Sequence, residues 1–136
     1  MKRLNVTFRC ELPLDDTAHP VGEEIAEYLS RRFSGAGIPI TKIDNFDDFA
    51  WSMDTIRNGK DLYLLLGFVG DGDYEWFMQI NEYASSFWHL FRRNQALSER
   101  EAIAPIVDRI LQTDENISVI RWHVGDFAEE NYTPSP

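Results

Sequence analysis

Apolar and polar residues alternate at the start of the chain. Leu4, Val6, Phe8, Cys10 and Leu12 fall on one side, and Asn5, Thr7, Arg9 and Glu11 on the other. A period of two predicts a strand with one buried face and one wet face. A loop follows through Pro13, Asp15-Asp16-Thr17 and His19-Pro20. Between Val21 and Phe33 the period changes, and Val21, Ile25, Tyr28 or Leu29, and Phe33 share one helical stripe. Glu23, Glu24 and Glu27 come early in that helix and Arg31-Arg32 late, the order its dipole favours. Ser34-Gly35-Ala36-Gly37 stops it. A short strand is expected over Ile38–Ile43, where Pro39 confines it to an edge or a bulge.

The middle of the chain predicts its own register. Asn58-Gly59 is a strong signal for a two-residue hairpin turn. Closing that turn pairs Arg57 with Lys60, Thr55 with Leu62, Met53 with Leu64, Trp51 with Leu66 and Phe49 with Phe68. The last four pairs share one face and are nearly all apolar, so turn chemistry and hydrophobic pattern select the same pairing. The next reversal lies within Gly70-Asp71-Gly72-Asp73-Tyr74. An even loop would oppose Phe68 to Glu75. An odd loop opposes Phe68 to Trp76, Leu66 to Met78 and Leu64 to Ile80, and is the one expected. Trp51, Met53, Leu64, Leu66, Trp76 and Met78 then face the core.

Tyr83, Phe87, Trp88, Leu90 and Phe91 form an apolar cluster with room for one or two helical turns. Ser98-Glu99-Arg100-Glu101 has capping-box spacing, and Ile103, Ile106, Val107, Ile110 and Leu111 follow at helical intervals. A last strand is expected over Ile117–Val124. The order β-α-β-β-β-β-α-β predicts an α+β two-layer sandwich, a largely antiparallel six-stranded sheet with two helices on one face. Residues 1–125 form the expected single domain, and 126–136 a loose polar tail.

Composition narrows the function classes. The chain has 136 residues, 43% hydrophobic and 26% charged, enough to bury one core without disulfides. Its single cysteine, Cys10, allows no internal disulfide, and the start Met1-Lys2-Arg3-Leu4 has no apolar signal region. The longest apolar run, Leu62 to Val69, is too short to span a bilayer as a helix. These features point to a cytoplasmic protein. A net charge of −10 argues against nucleic acid and anionic lipid as partners and is best matched by a basic protein. Surplus acid that merely maintains solubility is the bland alternative. Asp44–Glu82 holds nine acids against two bases, with eight aromatic residues between them.

Catalytic chemistry finds no motif. The phosphate loop, H-E-x-x-H, G-x-S-x-G and C-x-x-C patterns are all missing. Gly35-Ala36-Gly37 and Gly70-Asp71-Gly72 sit in the wrong context for dinucleotide binding and read as turns. Asp71, Asp73, Glu75 and Glu82 take positions of a calcium loop, but Trp76 stands where that loop needs glycine. His19, His89 and His123 fall in three separate elements with no metal-ligand spacing, and Cys10 lies on the apolar side of its strand. No catalytic residue, metal or cofactor is therefore expected.

The second face of the meander carries the candidate site. Ser52, Asp54, Tyr63, Leu65, Val69, Glu75, Phe77 and Gln79 point away from the helices, and several are more apolar than a wet face requires. Three coverings are open: a flap formed by Tyr83–Phe91, a second copy of the chain, or a different partner. For a different partner, Asp54, Tyr63, Leu65, Asp71, Asp73, Glu75 and Phe77 are the expected contacts. A pocket beneath the 83–91 segment, serving a small molecule or a minor enzymatic activity, is the alternative, and a homodimeric structural protein is another.

The run Val21-Gly22-Glu23-Glu24-Ile25-Ala26-Glu27-Tyr28-Leu29, Trp51 in a strand, and Ile117-Ser118-Val119-Ile120-Arg121-Trp122-His123 together resemble a family of small bacterial proteins of unassigned function. That resemblance covers most of the chain and supplies structural positions only. In size, charge and architecture the chain is also similar to the immunity proteins of bacterial toxin systems. That likeness implies a small, acidic, non-enzymatic protein that blocks a toxin by binding it.

Overall fold

In a computed structural model of the chain, the residues described are 3–15, 17–18, 20–71, 74–83, 89–125 and 131–136. The elements are β1 (Asn5–Cys10), α1 (Glu23–Gly35), β2 (Lys42–Phe46), β3 (Ala50–Arg57), β4 (Lys60–Asp71), β5 (Tyr74–Glu82), α2 (His89–Thr113) and β6 (Ile117–His123). Six strands form one sheet in the order β2-β3-β4-β5-β1-β6, every neighbouring pair antiparallel. Both helices cover one face, α1 over β3 and α2 over β4, β5 and β6. The α+β two-layer architecture is the one the pattern predicts.

The core lies between these layers. Val6 and Phe8 of β1, Leu62, Leu64 and Leu66 of β4, and Trp76 and Met78 of β5 are fully buried there. Ile25, Leu29 and Phe33 come down from α1, and Ile103, Val107 and Leu111 from α2. Each large apolar side chain so buried stabilises the fold by roughly 1.5–3 kcal/mol. Asp114, in the turn between α2 and β6, ties that turn to α1. It is 4% exposed and accepts hydrogen bonds from the Tyr28 hydroxyl at 2.6 Å and Arg32 Nη1 at 2.9 Å.

The β3–β4 hairpin has the expected register from Arg57↔Lys60 to Trp51↔Leu66, but β3 begins at Ala50, so Phe49 lies beyond it. Asn58 and Gly59 have φ of 50° and 79°, the left-handed pair such a turn requires. On β4–β5 the pairs Leu64↔Ile80, Leu66↔Met78 and Phe68↔Trp76 are also as expected, but the device differs. Asp71 pairs with Tyr74, and the odd residue is taken up by a register shift between Phe68 and Asp71, where Gly70 has φ 64°. A bulge does the work assigned to an odd loop.

Three boundaries move. Helix α1 starts at Glu23 behind Gly22, whose φ of 110° no other residue adopts easily. The strand expected at Ile38–Ile43 lies instead at Lys42–Phe46. Ile38 belongs to the helix end: its N–H donates to the Phe33 carbonyl at 2.9 Å, Gly37 before it has φ 97°, and its side chain is 1% exposed. That is a glycine-terminated helix end with its hydrophobic contact. Finally, α2 begins at His89, so Ser98 lies inside it and caps nothing. No glycine or proline interrupts 89–97, and Pro105 sits within the helix without ending it.

Of the segment Tyr83–Phe91, residues 84–88 lie outside the described residues, and His89 to Phe91 open α2. Of the tail, 126–130 lie outside them. Residues 131–136 run beside β6, where Trp122 and Thr133 exchange two backbone hydrogen bonds of 2.8 and 2.9 Å. The Arg3 N–H donates to the Pro136 carbonyl at 3.3 Å.

Candidate functional site

The sheet face turned away from the helices is built by alternation. Each strand sends its core residues one way, so the neighbours between them point the other way. Across β2, β3 and β4 this places Lys42 beside Asp54 and Tyr63, Asp44 beside Ser52 and Leu65, and Phe46 beside Ala50 and Gly67. Small residues at positions 50 and 52 leave room above β3. The Phe46 and Tyr63 rings stack across it with centroids 5.9 Å apart, and Ser52 is 2% exposed. Tyr83 adds a third ring 4.5 Å from Tyr63, and Phe49 meets Phe46 edge-on at 5.7 Å.

A carboxylate is fixed within this cluster. The Tyr83 hydroxyl donates to Asp54 Oδ1 at 2.5 Å. Burial, and then the hydrogen bond and charge of Asp54, push the Tyr83 phenol well above its ordinary value. Burial also raises Tyr63. Both rings therefore remain neutral and present electron-rich faces next to a fixed negative charge. Asp44, Asp47, Asp48 and Asp61 belong to the same end of the sheet. Lys42 Nζ, 3.1 Å from Asp44 Oδ2, is the base on β2. Such a constellation suits an ammonium or guanidinium group, which gains both Coulombic and cation–π attraction.

The expected contacts fall into two groups. Asp54 and Tyr63 are direct cross-strand partners and sit in the acidic aromatic cluster. Leu65, next along the face between Ser52 and Gln79, is 5% exposed. Toward the other end Phe77 lies over Gly67, where even a Cβ would come within 2.2 Å of the ring. Glu75 stands 3.9 Å from Arg9 Nε. Asp71 closes β4 opposite Tyr74, and Asp73 lies outside the described residues. Sequence reasoning missed Phe46 and Asp44, and had Tyr83 only as the start of a flap over this face. The Phe46-Asp47-Asp48-Phe49 run was the available signal, but a strand placed at 38–43 leaves Phe46 in a loop.

The far edge of the same face has different chemistry. Thr7 Oγ1 and His123 Nε2 are 2.9 Å apart and buried, and the Arg121 guanidinium lies 4.5 Å from the centroid of the Tyr132 ring. Burial pushes the Cys10 thiol up, in keeping with an inert core residue. Among the described residues no cluster of three or more His, Cys, Asp or Glu side chains is arranged to hold a metal ion. Among them, too, no helix is long and apolar enough to cross a membrane. Set against protein-family models, curated proteins and solved structures, the chain matches none.

Proposed function

We propose that this chain is a non-catalytic protein-binding module, immunity-like or adaptor-like and acting in the cytoplasm, that takes a basic partner on the β2–β3–β4 end of its outer face. The observation that supports this reading is the Phe46–Tyr63–Tyr83 ring cluster with the Asp54 carboxylate hydrogen-bonded into it. Aromatic rings and a fixed charge are what a cationic anchor residue needs. The surrounding acids speed encounter and select the sign of the partner.

The test compares the tagged chain with its Asp44→Lys, Asp54→Lys double variant as baits in lysate of the source organism. The expected result is one basic protein held stoichiometrically by the parent chain, released as salt rises and not retained by the variant. Equal capture by both baits would remove the acidic face from the mechanism. Light scattering of the isolated chain is the companion measurement: a mass of two protomers, unchanged in the variant, would favour pairing of two copies through another surface.

A further inference from the structure

Opposite the β2 end, the sheet finishes at β6, and there the edge is covered along its length by different devices. Between Thr7 and Arg9 the β1–β6 register shifts, and Val119 of β6 has φ 54°, a conformation that strains a β-branched residue. A bulge of this kind twists the first half of the strand away from further pairing. The second half is regular, and residues 131–136 lie beside it as a strap. Thr133 exchanges backbone hydrogen bonds with Trp122, and the Arg121 guanidinium stands 4.5 Å from the centroid of the Tyr132 ring. Away from β6 the strap offers little. Pro134 has no N–H, and its carbonyl accepts from Gln112 Nε2 at 3.2 Å. The Ser135 carbonyl accepts from Thr133 Oγ1 at 2.7 Å, and the Asn131 and Pro136 carbonyls accept from Arg3. Such a segment pairs inward and ends the sheet rather than extending it.

We infer that residues 131–136 are a sheet-edge guard that keeps the chain a single copy at this end, and that β6 freed of them pairs antiparallel with β6 of a second copy. The backbone groups at Trp122 are competent to pair, since they hold the strap. Identical edges meet across a two-fold axis, so Trp122 then faces Trp122, and Arg121 faces His123. β6 is also free of the charge that keeps copies apart. The chain has a net charge of −10, yet Ile117–His123 contains no acid. The strap itself is held by polar contacts and exposes most of its side chains, Tyr132 at 44% among them. Little apolar area holds it down, so it opens at low free energy while the core stays folded. Lifting the strap therefore changes the number of copies without unfolding the domain.

The test compares the full chain with Thr133→Pro, which deletes the N–H that donates to the Trp122 carbonyl. Light scattering across a concentration series gives the mass, and amide hydrogen exchange at Trp122 reads the edge. The parent chain is expected to show one protomer and a slowly exchanging Trp122 amide. Thr133→Pro should speed that exchange about tenfold or more in dilute solution. As concentration rises the variant should reach two protomers, with Trp122 protected again. A second variant, Arg3→Ala with Gln112→Ala, loosens the strap without altering Thr133 or β6. It is expected to shift both readings the same way, and it decides the matter if Thr133→Pro fails to fold. A variant that stays one protomer while Trp122 exchanges fast would show an open edge that needs no guard, and would overturn the inference. So would unchanged Trp122 exchange, a parent chain already paired, or two protomers in which Trp122 stays unprotected.

Discussion

At position 22 a side chain has nowhere to go. Gly22 starts α1 in a left-handed conformation, and a Cβ there would lie 2.6 Å from two atoms of the fully buried Trp76 ring. Gly22→Ala adds backbone strain to overpacking, a combined cost of about 2–4 kcal/mol. Urea unfolding should register that loss, and a midpoint within error of the parent would contradict the packing described. Tyr83 makes a different prediction, concerning pH. Its phenol holds its proton more tightly in the folded chain than at the unfolded value of 10.0. Such a group stabilises the fold fully below that value and loses its contribution as the pH rises past it. Stability should therefore fall above pH 10.0, and less steeply in Tyr83→Phe, with the remaining slope due in part to Tyr63. Parallel pH profiles for the two proteins would show that the Tyr83–Asp54 contact is not formed in solution.

Elements differ in how much of them can be read in advance. The β3–β4 register was legible because a turn signal and an alternating pattern gave independent answers that agreed, and the β4–β5 register because the pattern alone selected it, although a bulge and not an odd loop delivers it. Element ends were not, because long-range contacts decide them. Ile38 looks like a strand residue until Phe33 is seen to accept its N–H, and that shift moved β2 and hid Phe46 from the candidate site. Ser98-Glu99-Arg100-Glu101 has the spacing of a helix start, yet Glu99 faces the hairpin turn, taking hydrogen bonds from Arg57 Nε at 3.0 Å and Asn58 Nδ2 at 2.9 Å. The two interpretations separate cleanly. A true cap lost to alanine costs about 1 kcal/mol, whereas an exposed serine inside a helix costs nothing or gains slightly. Ser98→Ala should leave the unfolding midpoint unchanged or a little higher, and a clear drop would restore the cap. Tyr83 was legible only as the start of a flap: the β4–β5 register sets it opposite Asp61 on the outer face, but its hydrogen bond to Asp54 depends on the packing of its ring against Tyr63.

Across the whole molecule the acidity is organised. One end of the outer face gathers Asp44, Asp54 and Asp61, while β1 and β6 at the other end carry Arg9 and Arg121. A face polarised in this way orients a charged partner before contact, which net charge alone does not do. The joined ends of the described chain have a topological meaning as well. Since Arg3 hydrogen-bonds Pro136, the backbone is nearly a closed loop, and its opening can be moved. A circular permutant, with a short linker joining the old ends and new ones between Asn58 and Gly59, would keep every paired strand while deleting the turn. If it folds with the same β3–β4 pairing, read from cross-strand nuclear Overhauser contacts, side-chain pattern alone sets the register. If the strands slip, the Asn-Gly turn is the part that tells the sheet where to begin.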